Sequence, residues 1–112
     1  MNAKNDNSVW SKVAEPGALG DRPLTQVEAG GKTLVLANVK GRVTALDDRC
    51  PHFGASLSDG QIENNHVVCP WHAREYDLQT GACVFYEGVN AYPVEVREDG
   101  VFVLIPAALT TS

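Results

Sequence analysis

Two short boxes constrain this chain more than any other feature: Cys50-Pro51-His52 and Cys69-Pro70-Trp71-His72, sixteen residues apart in a sequence of 112. Each offers one soft thiolate and one imidazole. Pro51 and Pro70 fix φ between the paired donors, and Gly54 allows tight backbone approach beside the first box. Three Cys is an odd number, and the polar residues 1–7 have no apolar stretch after them, so no secretion signal is expected. A disulfide framework is therefore disfavoured, and metal binding or catalysis is the better reading of the paired Cys.

The rest of the chain reads as β-structure. Ten Gly and six Pro are spread along it, which implies many turns between short strands. Lys32–Val39 carries Leu, Val, Leu and Val, and residues 42–46 resume after Lys40-Gly41, a hairpin signal. Gln61–Glu63 and residues 66–69 flank Asn64-Asn65, a second hairpin signal because Asn tolerates positive φ. Residues 90–97 alternate apolar and polar positions and turn through Glu98-Asp99-Gly100 into the apolar run 101–105. Residues 15–20 could form at most a helical turn, and no long window carries a 3.6-residue period. The fold class expected is all-β, small antiparallel sheets stacked as a sandwich or partial barrel. Both boxes then fall in loops at strand ends, where a rigid scaffold can present chemistry. One domain is expected over 8–105, between a flexible start at 1–7 and a loosely held tail at 106–112.

Composition excludes some partners. The chain is 44% hydrophobic and 21% charged, ordinary for a globular protein, with a formal charge of −5. Nucleic acid and anionic membranes both call for a basic face, so neither is expected as a partner. The run 101–105 is far too short to span a bilayer. A mild negative charge suits a carrier that docks on a basic patch of a larger protein, and equally suits plain solubility.

Two Cys and two His can hold zinc or an iron–sulfur cluster, and donor types alone do not separate the two. Zinc fingers usually pair Cys with Cys and His with His. Here each half mixes them, as two loops clamping a dinuclear cluster would need.

The two boxes, with the run Tyr76-Asp77-Leu78-Gln79-Thr80-Gly81 after the second, resemble the Rieske family, and free-standing Rieske ferredoxins more than embedded Rieske domains. The resemblance spans about residues 8–105. It implies the Rieske fold with two cluster-binding loops and one 2Fe-2S cluster. Cys50 and Cys69 would bind the inner iron, and His52 and His72 the outer iron. Two ferric ions, two sulfides and two thiolates sum to zero charge, so His ligation raises the potential into a window of roughly −150 to +300 mV. High-potential members add a Cys in each loop, forming a disulfide, and a Ser that hydrogen-bonds a cluster sulfur. The matching positions here are Ala55, Trp71 and Arg74. A potential at the negative end of the window is therefore expected. A Tyr that donates to a ligand Cys is retained as Tyr76; otherwise it is a half-buried strand residue. Ala73 stands where the family usually has Gly.

Other residues have plainer readings. Cys83 reads as a buried small hydrophobe and His66 as a solvated turn residue. Trp71 and Phe53 read as shields of the cluster sooner than guides for a partner. Arg74 either adds charge near the cluster or faces solvent. Trp10, Tyr92 and Phe102 read as core aromatics, and Asp47-Asp48 as a turn.

The function implied by the resemblance is a one-electron carrier, not an enzyme: a monomeric cytoplasmic ferredoxin that takes electrons from a flavin-dependent reductase and delivers them to a terminal aromatic-ring oxygenase. Nothing in the chain resembles a mononuclear-iron facial triad, so oxygenase chemistry lies elsewhere. The alternatives are a small Rieske-type subunit of a nitrite reductase complex and a structural zinc protein.

Overall fold

Four consecutive residues of the strand Lys32–Val39, from Leu34 to Ala37, are fully buried, which a strand with one wet face cannot achieve. The reason is that the sheet carrying them is the middle of three layers. Leu34 and Leu36 point to one core, with Ala45, Tyr92, Val101, Val103 and Ile105. Val35 and Ala37 point to the other, with Leu46, Leu57, Val67, Tyr76, Leu78 and both box cysteines.

The computed structural model describes residues 8–51, 54–71, 74–84 and 86–106. Segments 1–7 and 107–112, expected to be a flexible start and a tail, lie outside them. The described strands are β1 (Val9–Ala14), β2 (Leu24–Ala29), β3 (Lys32–Val39), β4 (Arg42–Asp47), β5 (Gln61–Glu63), β6 (His66–Val68), β7 (Glu75–Asp77), β8 (Ala91–Tyr92), β9 (Val94–Arg97) and β10 (Gly100–Ile105). They form three antiparallel sheets in the orders β1-β10-β9, β2-β3-β4-β8 and β5-β6-β7. Among the described residues the sole helical element is a 3-10 turn at Leu57–Asp59, and no helix is long and apolar enough to cross a membrane.

The two expected hairpins are present. Lys40 and Gly41 both have positive φ (54° and 87°) and join β3 to β4; Asn64 and Asn65 (50° and 63°) join β5 to β6. Residues 15–20 form tight turns, with Ala18 N–H donating to the Glu15 carbonyl. The single strand expected over 90–97 is instead two. Pro93 has no N–H for a ladder, and at it the chain crosses from the central sheet, where Tyr92 pairs with Ala45, to the outer one, where Val94 pairs with Val103.

The aromatics also divide. Tyr92 is core, but Trp10 and Phe102 are not. Both sit half-buried on the outer face of the β1-β10-β9 sheet, where the Arg97 guanidinium covers them at 5.4 and 4.2 Å from the ring centres. An aromatic strand position says nothing about which face of an outer sheet it will take.

Candidate metal centre

Cys69 directly follows β6 and Cys50 lies three residues past the end of β4, and both cysteines are buried, at 2% and 1% exposure. After β4 the chain folds back on itself. Asp48 carbonyl accepts from Leu57 N–H (2.6 Å), Arg49 bridges Ser56, and Cys50 N–H donates to the Ala55 carbonyl (2.8 Å). Gly54 N–H then closes the loop on the Cys50 carbonyl (2.8 Å). Gly54 has φ of 75°, while the nearest described atoms to a Cβ there would be those of the Arg49 side chain, at 3.7 Å. Glycine is therefore needed here for its left-handed backbone. The second loop is closed by Cys69 N–H donating to the Arg74 carbonyl (2.8 Å), between β6 and β7.

Both thiols belong to the core between the central sheet and β5-β6-β7, and both are free of disulfide bonds. Tyr76, fully buried on β7, places its hydroxyl 3.2 Å from Cys50 Sγ. Burial first, and then the contact with Cys50, push its phenol well above the ordinary value. Tyr76 thus keeps its proton and, against a thiolate, is the donor. His52 and His72 lie outside the described residues, as do Phe53 and Ala73.

A third segment completes the setting. Cys83 bridges the backbones of Tyr76 on one side and Tyr86 on the other. Cys83 is half-buried against the first core, less enclosed than its hydrophobe reading implied, and burial is the main reason its thiol is raised above the ordinary value. Arg74 takes a role the sequence did not suggest: its guanidinium lies 3.7 Å from the centre of the Tyr86 ring. Trp71 is 64% exposed, as are Val84 (68%) and Tyr86 (53%). His66 begins β6, with Nδ1 2.7 Å from the Asn64 carbonyl, well away from a ligand role.

Asp47 and Asp48 do not form a carboxylate pair. Asp47 ends β4 and accepts from the Tyr92 hydroxyl (2.7 Å), Asn90 N–H (3.1 Å) and Lys32 (3.2 Å). Asp48, the residue sequence reasoning passed over as a turn, is buried and bonded elsewhere.

Two buried thiols, each at the closed base of its own loop, with a hydroxyl donor on one sulfur, fit the sulfur side of a dinuclear iron–sulfur site.

The comparisons agree with this chemistry. The family model of the Rieske [2Fe-2S] domain matches residues 9–97. The 3-phenylpropionate/cinnamic acid dioxygenase ferredoxin subunit of Escherichia coli (strain K12) is 37% identical over 79 residues, 67% of this chain and 74% of that one. Among solved structures, the complex of reduced oxygenase and oxidized ferredoxin in carbazole 1,9a-dioxygenase contains a chain that superposes with a TM-score of 0.75 at 26% identity, over 88% of this chain and 94% of that one. The Sphingomonas yanoikuyae B1 ferredoxin superposes with a TM-score of 0.74 at 25% identity, over 88% and 98%. The chain therefore belongs to the Rieske [2Fe-2S] domain family, whose cofactor is a single two-iron, two-sulfide cluster.

Proposed function

We propose that this chain is the ferredoxin component of an aromatic-ring oxygenase system, a one-electron carrier whose cluster is held by Cys50 and Cys69 on one iron and His52 and His72 on the other. The observation that carries this is the pair of buried thiols at the bases of two loops of one core. When bound, the cluster supplies a centre that accepts and releases a single electron. The chain's own residues do the rest. The closed loops hold the thiolates away from water, and Tyr76 donates its O–H to Cys50. Trp71, Val84 and Tyr86, exposed on the second loop and the segment after it, form the face we assign to partner contact.

Electrons come from a flavin-dependent reductase and leave to the terminal oxygenase, with the carrier a cytoplasmic monomer. Support for the second step is a relative named as a dioxygenase ferredoxin subunit and a similar ferredoxin solved in complex with its oxygenase. The potential lies at the negative end of the Rieske window, because Ala55, Trp71 and Arg74 supply neither the disulfide nor the Ser donor of high-potential relatives.

Iron and sulfide analysis with electron paramagnetic resonance of the dithionite-reduced protein tests the assignment. Two irons and two sulfides per chain and a Rieske-type spectrum are expected. A colourless, silent protein containing zinc would overturn it. Redox titration tests the potential, and a midpoint above about +100 mV, in the upper part of the window, would contradict it.

A further inference from the structure

Asp48 is the one fully buried charged side chain among the described residues. Its Oδ1 accepts from Ser58 N–H (2.8 Å) and its Oδ2 from the Gln26 side-chain amide (2.9 Å). Its backbone is equally committed, donating to the Thr33 carbonyl (3.1 Å) and accepting from Leu57 N–H (2.6 Å). Among the described residues it has no ion-pair partner. Taking a carboxylate out of water is costly unless hydrogen bonds offset it, and a core position by itself gives no reason for one.

Its place in the chain does. Asp48 lies just before Arg49-Cys50, and Leu57 and Ser58 lie just after the returning arm Ala55-Ser56. Side chain and backbone of one residue thus tie together both ends of the Cys50 loop, below the Arg49–Ser56 bridge and the Cys50–Ala55 hydrogen bond. Through Gln26 on β2 the same carboxylate fastens that base to the central sheet.

We propose that Asp48 is a positioning residue for Cys50, its two hydrogen bonds fixing where the thiolate stands. This rests on the reading of Cys50 as a cluster ligand. Asp48→Ala releases both ends of the loop. Asp48→Asn keeps an oxygen for Ser58 N–H, and Gln26 can turn its own amide to accept from the new N–H.

The experiment compares the reduced-protein resonance spectrum and the rate of cluster loss to a chelator in wild type and both variants. Asp48→Ala is expected to shift or broaden the spectrum and speed cluster loss several-fold, with Asp48→Asn close to wild type. Wild-type behaviour in Asp48→Ala would overturn the proposal. Equal damage in both variants would overturn it as well, pointing to charge instead of the tether. If Asp48→Ala does not fold, Gln26→Ala, at an exposed position, takes its place with the same effect in weaker form expected; no change there would sink the idea. A wild-type protein with no Rieske spectrum would overturn the functional reading and this proposal together, whereas an intact wild-type spectrum with an indifferent Asp48→Ala overturns this proposal alone.

Discussion

The Tyr76 hydroxyl lies 3.2 Å from the Cys50 sulfur, bringing β7 of one small sheet onto the loop that leaves β4 of another. Both residues are buried, so nothing in water replaces this bond if it is lost. A donor on a ligand sulfur stabilises the more negative, reduced state more than the oxidised one. Tyr76→Phe should therefore lower the midpoint potential, by about 30–60 mV, up to about a tenfold change in the one-electron equilibrium. Redox titration of the two proteins reads this directly, and an unchanged midpoint would reduce Tyr76 to a packing residue.

Gly81 and Gly54 share a left-handed backbone, φ of 78° and 75°, but not a setting. A Cβ on Gly81 would run into the Val89 carbonyl, whereas at Gly54 the nearest described atoms would be those of the Arg49 side chain, at ordinary contact distance. Gly54→Ala should destabilise by about 1–2 kcal/mol, the cost of a left-handed L-residue. Gly81→Ala adds overpacking and should reach about 2–5 kcal/mol. Urea unfolding of both variants checks the order. Equal losses would mean that the segment 81–89 yields where the structure shows it closed.

The sequence carried some of this and not the rest, for physical reasons. Turn chemistry is local, so Lys40-Gly41 and Asn64-Asn65 were legible as hairpins. Gly30-Gly31, between β2 and β3, is a signal of the same kind that the sequence reading left unused. Trp10 read as a strand residue, but the bounds and pairing of β1 were not legible, because its partner is the last strand, β10, with an irregular register between Lys12 and Ala14. The apolar run in β3 was visible, but its burial on both faces depends on a sheet built by residues far along the chain. The two box cysteines, which the fold brings into one core, stood out by their spacing. Asp48 and the Arg74–Tyr86 stack did not, since neither partner is near in sequence to the residue it serves.

Asp77 gives a pH dependence with a definite sign. The backbone N–H groups of Gln79 and Thr80 donate to its Oδ1 (2.8 and 3.0 Å) and hold its carboxyl below the usual range, with His66 adding a smaller pull in the same direction. A carboxyl lowered in the folded state contributes stability that is complete above its unfolded value of about 3.9 and is lost as pH falls through the folded value. In Asp77→Asn that contribution is absent at every pH. The gap in unfolding midpoint between wild type and Asp77→Asn should be constant above about pH 5 and close as pH drops below about 4. A gap that widened in acid would have the wrong sign for this arrangement.

The exposed face beside the second loop separates two kinds of apolar residue. Val84 is the more exposed, but Tyr86 carries a fixed cation, Arg74, stacked on its ring. Binding energy at interfaces concentrates on Tyr, Trp and Arg, while Val is under-represented among such positions. If this face meets the oxygenase, Tyr86→Ala should weaken the encounter by about 1–2 kcal/mol, roughly 5- to 30-fold in the apparent affinity for the carrier. Val84→Ala should change it by less than about twofold, as a rim position would. Neither substitution touches a thiol, so the midpoint should stay where it is in both. Steady-state turnover of a reconstituted reductase, carrier and oxygenase, read as a function of carrier concentration, distinguishes the two. A larger effect from Val84 than from Tyr86 would move the docking face away from the Arg74 stack.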